Sequence, residues 1–137
     1  MMMTLKEFLS ANDRFALQSG CVLEAIEDGY ARASLVVTHD HLNAGGVCQG
    51  GAYFTLADLA IAAVMNCHGQ LTFGVENNIV YVKSAKVGDR LTAEAHEVVN
   101  HHKLPYAEVR ISNQDGELLC IVTGIGYRKQ APVPADQ

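Results

Sequence analysis

The chain has 137 residues, of which 49% are hydrophobic and 18% charged, and its formal net charge is −5 at pH 7. That length suits a single domain able to bury roughly 68% of its unfolded surface without staples, and that composition excludes a disordered chain. The negative balance gives no general attraction to nucleic acid or anionic membranes. No apolar run has the length of a membrane helix, and the opening MMMTLKEFLSANDRF lacks the basic-then-apolar layout of a secretory leader, so the expected location is the cytoplasm.

In chain order, TLKEFLSAND (Thr4 to Asp13) reads as a short amphipathic helix. Thr4 with Glu7 three residues on forms its capping box. CVLEAIED and YARASLVV alternate in polarity and flank Asp28-Gly29, which predicts a hairpin. THDHLNAGGVCQ is a loop, and a long helix follows from about Gly50 to Cys67, ended near Gly69. Four β-rich runs come next: TFGVENNIVYV, DRLTAEAHEVV, PYAEVRISN and ELLCIVTGIGYRK. Val87-Gly88-Asp89 and Gln114-Asp115-Gly116 mark turns between them. Residues 1–130 are expected to form one domain, with 131–137, APVPADQ, as a frayed tail. Two strands, one long helix and four strands make an α+β fold, an antiparallel sheet with one dominant helix.

That helix is unusual. Leu56, Leu59, Ile61 and Val64 are separated mostly by alanines, so it is apolar around most of its circumference and must be buried on most sides. One curved sheet covers only part of it. A second copy of the chain is the economical cover, so a homo-oligomer is expected, and it would also protect the sheet edges. Asp58 stands in the middle of this segment. A carboxylate in an apolar setting is paired, hydrogen-bonded or functional. Gly50 and Gly51 stand at the helix N-terminus, where free N–H groups and the positive dipole end gather and glycine permits close approach. Such an end can hold an anion or a developing oxyanion, or it can simply pack the loop against the helix. Gly50 and Asp58 are about 12 Å apart along the axis, at ~1.5 Å per residue. If both act on one reacting atom, each site must take Gly50 from one subunit and Asp58 from the other.

Cys21, Cys48, Cys67 and Cys120 are widely spaced and read as buried reduced thiols. Cys48, beside the glycines, is also a conceivable nucleophile. The pairs His39/His41 and His101/His102 lack third and fourth ligands at a familiar spacing, so no metal is expected.

The stretch HLNAGGVCQGGAYFTLADLA resembles the motif of hotdog-fold acyl-CoA thioesterases of the phenylacetate-degradation type: Asn, then six residues later His-Gly-Gly, then Leu-Ala-Asp. Asn43, Gly50, Gly51, Leu56, Ala57 and Asp58 fall at the matching spacings, and VYVKSAKVGDRLTAEA is similar to the family's strand, Gly-Asp turn and strand. The resemblance implies a curved antiparallel sheet around a central helix, in dimers or dimer pairs. It also implies hydrolysis of acyl-CoA without metal or organic cofactor. Asp58 matches the family's catalytic carboxylate, acting as general base or nucleophile. Gly50 matches the residue whose backbone N–H polarises the thioester carbonyl, and Asn43 matches a polar residue of the same site. The family's His is Gln49 here. Gln can orient the thioester or fix the loop, but it cannot exchange protons near neutral pH.

Thiolate is a good leaving group, so a base, a water and an oxyanion hole suffice. Lys83, Lys86, Arg128 and Lys129 are candidate partners for the phosphates of CoA, or ordinary surface charges. Gly51, Tyr53 and Phe54 are candidates for substrate contact, Tyr53 and Phe54 alternatively for core packing. Two other readings stay open. One is a hydratase or dehydratase on an acyl thioester, which Gln49 in place of His disfavours. The other is a non-catalytic acyl-CoA-binding or sensing protein.

Overall fold

In the computed structural model, which describes residues 3–135, the elements follow the expected order. Helices α1 (Leu5–Asn12) and α2 (Arg14–Gln18) precede strands β1 (Val22–Glu27) and β2 (Tyr30–Val36). The long helix α3 (Gly50–Asn66) is followed by β3 (Gln70–Tyr81), β4 (Arg90–Val99), β5 (Tyr106–Ser112) and β6 (Leu118–Pro132). The Thr4–Glu7 capping box is formed, and Asp28-Gly29 turns the β1–β2 hairpin, with Glu27 opposite Tyr30. The strands form one six-stranded sheet in the order β1-β2-β4-β5-β6-β3, every neighbouring pair antiparallel. This is the α+β architecture that the resemblance implies.

Helix α3 lies in the sheet's concave face and touches all six strands. Its Leu56, Ala57, Ala60, Ala63 and Val64 are fully buried, and so are Ala31, Ala33, Leu91, Ala93, Ala95 and Val109 on the strands facing it. Small side chains on both sides bring the two backbones close. The glycines of β6 extend this. A Cβ on Gly126 would lie 2.7 Å from Met65 Sδ and 2.8 Å from Thr72 Cγ2, and one on Gly124 would lie 3.2 Å from Ile61 Cδ1. Glycine inside a strand here marks the close approach of a neighbour. Buried Asn66 locks the far end of the helix: its Nδ2 donates to the carbonyls of Ala62 and Thr72, and its Oδ1 accepts from the Thr72 N–H at 2.8 Å.

The structure adds one element to the sequence reading and departs from one expectation. The run after Asp13 is a second short helix, α2, because Asp13 caps it by accepting from the Ala16 N–H at 3.2 Å. The tail expected to fray from residue 131 is instead paired and packed as far as 135. Pro132 pairs with Gln70, the Val133 N–H donates to the Gly69 carbonyl at 2.9 Å, and Val133 and Ala135 are buried against Leu5. Residues 136–137 of that tail lie outside the described residues. Apolar side chains at the end of the chain thus close over α1.

Leu56 is the largest of the α3 side chains at 0% exposure. Leu56→Ala should cost about 2–5 kcal/mol, the usual range for a buried Leu truncation. A urea titration should show a lower midpoint at unchanged slope.

Candidate active site

Loop 42–49 feeds directly into α3, and Asn43 organises it. Its Oδ1 accepts from the N–H groups of Gly45 and Val47 at 2.9 and 3.2 Å. Its backbone exchanges bonds with Val47 and Gly46, and Gly46 supplies the positive φ (+81°) that the turn requires. The loop is then fastened to the β3–β4 connection. The Cys48 N–H donates to the Ala85 carbonyl at 2.9 Å, and the Ala85 N–H donates to the Tyr53 hydroxyl at 2.8 Å. Tyr53 is therefore a buried brace, and burial pushes its phenol up to about 12.

Gln49, which stands where the resemblance places His, is the N-cap of α3. Its Oε1 accepts from the Gly51 N–H at 2.5 Å. Of its two expected uses, fixing the loop is the one seen, and Gly51 is its partner. That leaves the Gly50 N–H, at the positive end of the helix dipole, with no partner among the described residues. Gly50 opens on a hollow of about 380 Å³ lined also by Asn43, Tyr53, Tyr81, Val82 and Lys83. The hydroxyl of Tyr81 sits so close that a Cβ on Gly50 would meet it at 2.6 Å, and the Tyr81 ring packs edge-on against Tyr53 at 5.8 Å. Tyr81 escaped the sequence reading because it sits in an ordinary β-rich run, with no motif to mark it.

Asp58 lies two turns further along. Its place in an apolar segment suggested burial, but in one protomer it is exposed. Gly51, Thr55, Asp58 and Ala62 recur at helical spacing, and all four are open or only partly covered. They form the stripe of α3 that the sheet leaves uncovered. Asp58 opens on a second hollow, of about 330 Å³, with Asp13, Phe15, Phe54 and Thr55. Surrounding protein still strips water from its carboxyl. That desolvation, then the nearby charge of Asp13, holds its pKa above the ordinary carboxylate range, with Asn77 acting in the opposite sense. Among the described residues, Asn77 Nδ2 is the one hydrogen-bond donor to it, at 3.4 Å. Phe54 thus lines the Asp58 hollow while Tyr53 lines the Gly50 hollow. The two faces of α3 separate the proposed donor from the proposed base within a single chain.

The cations divide in the same way. Lys83 lines the Gly50 hollow and pairs with Glu117. Lys86 is exposed in the β3–β4 connection. Arg128 is not beside this site: it is buried opposite Thr72, toward the other end of β3, and donates to Asn100 Oδ1 at 2.6 Å and to the His101 carbonyl at 3.1 Å. Lys129 lies 5.5 Å over the Phe73 ring in that same region. Cys48 is buried, and burial raises its thiol, which argues against a nucleophile. His41 and His101 serve the backbone: the His41 ring meets the Ser19 carbonyl, and His101 accepts from the Lys103 and Leu104 N–H groups.

This fold has counterparts. Residues 45–120 match the model of the thioesterase superfamily. The chain is 38% identical over 131 residues to a protein of Archaeoglobus fulgidus bearing the name "Putative esterase", covering 95% of this chain and 84% of that one. It is 28% identical over 117 residues to the acyl-coenzyme A thioesterase PaaI of Escherichia coli, covering 85% and 84%. The solved structure of E. coli PaaI superposes with a TM-score of 0.89 at 26% identity, over 92% of this chain and 91% of that one. A thioesterase-class protein of Streptococcus pneumoniae, solved with coenzyme A, superposes with a TM-score of 0.76 at 26% identity, over 85% and 91%. The chain belongs to the thioesterase superfamily, on the hotdog fold.

Proposed function

We propose that this thioesterase hydrolyses acyl-CoA to free acid and CoA at a site shared between two copies of the chain. The observation that carries this reading is the unengaged Gly50 N–H at the start of α3, facing a hollow large enough for a thioester. The Gly50 N–H donates a hydrogen bond to the thioester carbonyl oxygen, and the helix dipole favours the negative charge that develops there. Asp58 of the second copy activates the attacking water, or adds to the carbonyl to give a mixed anhydride that water then hydrolyses; in either case the thiolate of CoA leaves. Asn43 shapes the loop around the carbonyl. Lys83, which lines that hollow, and Lys86, exposed in the same β3–β4 connection, suit the phosphates of CoA.

A second copy is supported by what one chain leaves open. The uncovered stripe of α3 is flanked by Phe15 of α2, more than half exposed, and β3 is a 12-residue edge strand carrying exposed Phe73, Val75, Val80 and Tyr81. Such an edge invites pairing. The coenzyme A in the S. pneumoniae structure and the name of E. coli PaaI support the substrate class. A non-catalytic acyl-CoA binder remains the second reading, favoured by Gln49 where a His would exchange protons.

Asp58→Asn keeps the shape and removes the carboxylate. Turnover of acyl-CoA, followed by thiol release, should fall by roughly 10²–10⁴, and parent-rate hydrolysis would move the binding reading ahead. Because the base acts ionised and its folded pKa is raised, the wild-type rate should fall as pH drops through a midpoint above the usual Asp value. The carboxylate is also the form that folding disfavours, so Asp58→Asn should melt at an equal or higher temperature at neutral pH.

Gln49→Ala removes the cap on the Gly51 N–H. It should lower the melting temperature, by about 0.5–2 kcal/mol in stability, and reduce turnover modestly while leaving the shape of the pH–rate profile unchanged. Loss of an ionisation from that profile would contradict the assignment.

The shared site has its own test. Asp58→Ala and Gly50→Val should each be nearly inactive. Gly50 has no positive φ, and its new side chain would press on the exposed Tyr81 ring, so the variant should fold with its hollow blocked. Subunit exchange between the two should restore activity through one intact composite site. Verified mixed dimers that stay inactive would place the whole reaction within a single chain.

A further inference from the structure

At the opposite end of α3, about 25 Å from Gly50 at ~1.5 Å per residue, a second group of reactive side chains converges. Cys67 is the C-cap of the helix and His68 follows it. The Cys67 thiol, a His68 ring nitrogen and an Asp28 carboxylate oxygen all lie within 4.8 Å of one another. They come from two places in the chain. The turn carrying Asp28 is held to β4 by the Glu97 N–H donating to the Gly29 carbonyl at 2.9 Å, so the three groups share a braced corner.

The histidine is oriented from behind. Its Nε2 lies 2.6 Å from Glu97 Oε2, while its Nδ1 faces Asp28 Oδ1 at 3.7 Å. The Glu97 contact makes Nε2 the protonated nitrogen. In the neutral ring, Nδ1 then presents a lone pair to the Asp28 carboxylate, and two acceptors face each other. A cation between them resolves this. A carboxylate buttressing the far nitrogen of a ligating histidine is the usual outer-shell arrangement of zinc sites. The helix end itself favours positive charge: it is the negative end of the α3 dipole, and its last turn carries no basic residue, while Arg128 acts on Cys67 from the sheet and Lys6 lines the neighbouring hollow.

We propose that Cys67 Sγ, His68 Nδ1 and Asp28 form a site for a divalent zinc-class cation, with Glu97 holding His68 and solvent filling the fourth position. Sulfur, imidazole and carboxylate together suit borderline-soft Zn²⁺ and not Mg²⁺ or Ca²⁺. Ligands at about 2.0–2.3 Å from the ion must approach one another more closely than the apo spread of 4.8 Å. Asp28 is free to supply that movement, because its side chain is 92% exposed. On binding, the Cys67 thiol loses its proton to solvent as the metal–sulfur bond forms. A hollow of about 370 Å³ lined by Ile26, Glu27, Asp28 and Cys67 gives the ion a way in. The ion would pin the β1–β2 turn to the helix end, which is a structural role separate from the hydrolytic site.

Cobalt(II) titrated into metal-stripped full-length protein should give a thiolate-to-metal charge-transfer band saturating at one equivalent. Cys67→Ser should abolish the band. Glu97→Gln should keep it while weakening affinity by about 10–100-fold. Zinc should raise the melting temperature of the wild type and not that of His68→Gln. A wild-type protein with no band and no zinc-dependent melting shift would overturn the proposal, leaving a protonated His68 bridging two carboxylates. A band that survives in a folded Cys67→Ser variant would overturn it equally. None of these readouts depends on acyl-CoA turnover.

Discussion

Everything in this molecule depends on how closely α3 approaches the sheet. Ala57, Ala60 and Ala63 meet Ala31, Ala33, Ala93 and Ala95 across the interface, and Gly124 and Gly126 remove the last obstructing Cβ atoms. A close interface between small residues leaves few gaps, and dense packing recovers dispersion contacts that a looser fit would lose. It also limits what the sheet can cover. A strongly curved sheet wraps most of the helix circumference but leaves the stripe through Gly51, Thr55 and Asp58 bare.

The bare stripe and the two helix ends are where chemistry becomes possible. Each end of an α-helix has backbone groups that the helix cannot satisfy itself. At the start of α3, Gln49 takes the Gly51 N–H and the Gly50 N–H has no partner among the described residues. At the other end, Asn66 side-chain bonds tie the last turn to β3, and the donors gathered around Cys67 face a negative dipole. A single rigid element thus presents a donor at one pole, an acceptor-rich corner at the other, and a carboxylate between them on the open face.

This arrangement assigns different costs to different positions. Asp58 is held above the ordinary carboxylate range by the protein packed around it. Ionising that carboxyl therefore runs against the preference of the fold. Tyr53 has the opposite character. It is buried, its hydroxyl accepts the Ala85 N–H, and it holds the β3–β4 connection against the loop that ends at Gly50. Tyr81 packs edge-on against Tyr53 with a ring that is half exposed.

Much of this could be read along the chain. Alternation gave the strands, Thr4 with Glu7 gave the first cap, Asp28-Gly29 gave the hairpin, and the alanine-rich apolar run gave a helix needing cover on most sides. These are local or periodic features, fixed by side-chain chemistry a few residues apart. The spacing of Gly50 and Asp58 likewise showed that one helix cannot aim both at one atom. The fold alone decided the rest. Pairing β3 beside β6 buried Arg128 at the end of the sheet away from the Gly50 hollow, and the same pairing carried the chain end back onto α1. Curvature decided which stripe of α3 stayed open, and so exposed Asp58. The corner of Asp28, Cys67, His68 and Glu97 joins residues up to 69 positions apart in sequence (97 − 28). No spacing rule marks such a group, because its members become neighbours only when a hairpin turn, a helix end and a strand meet.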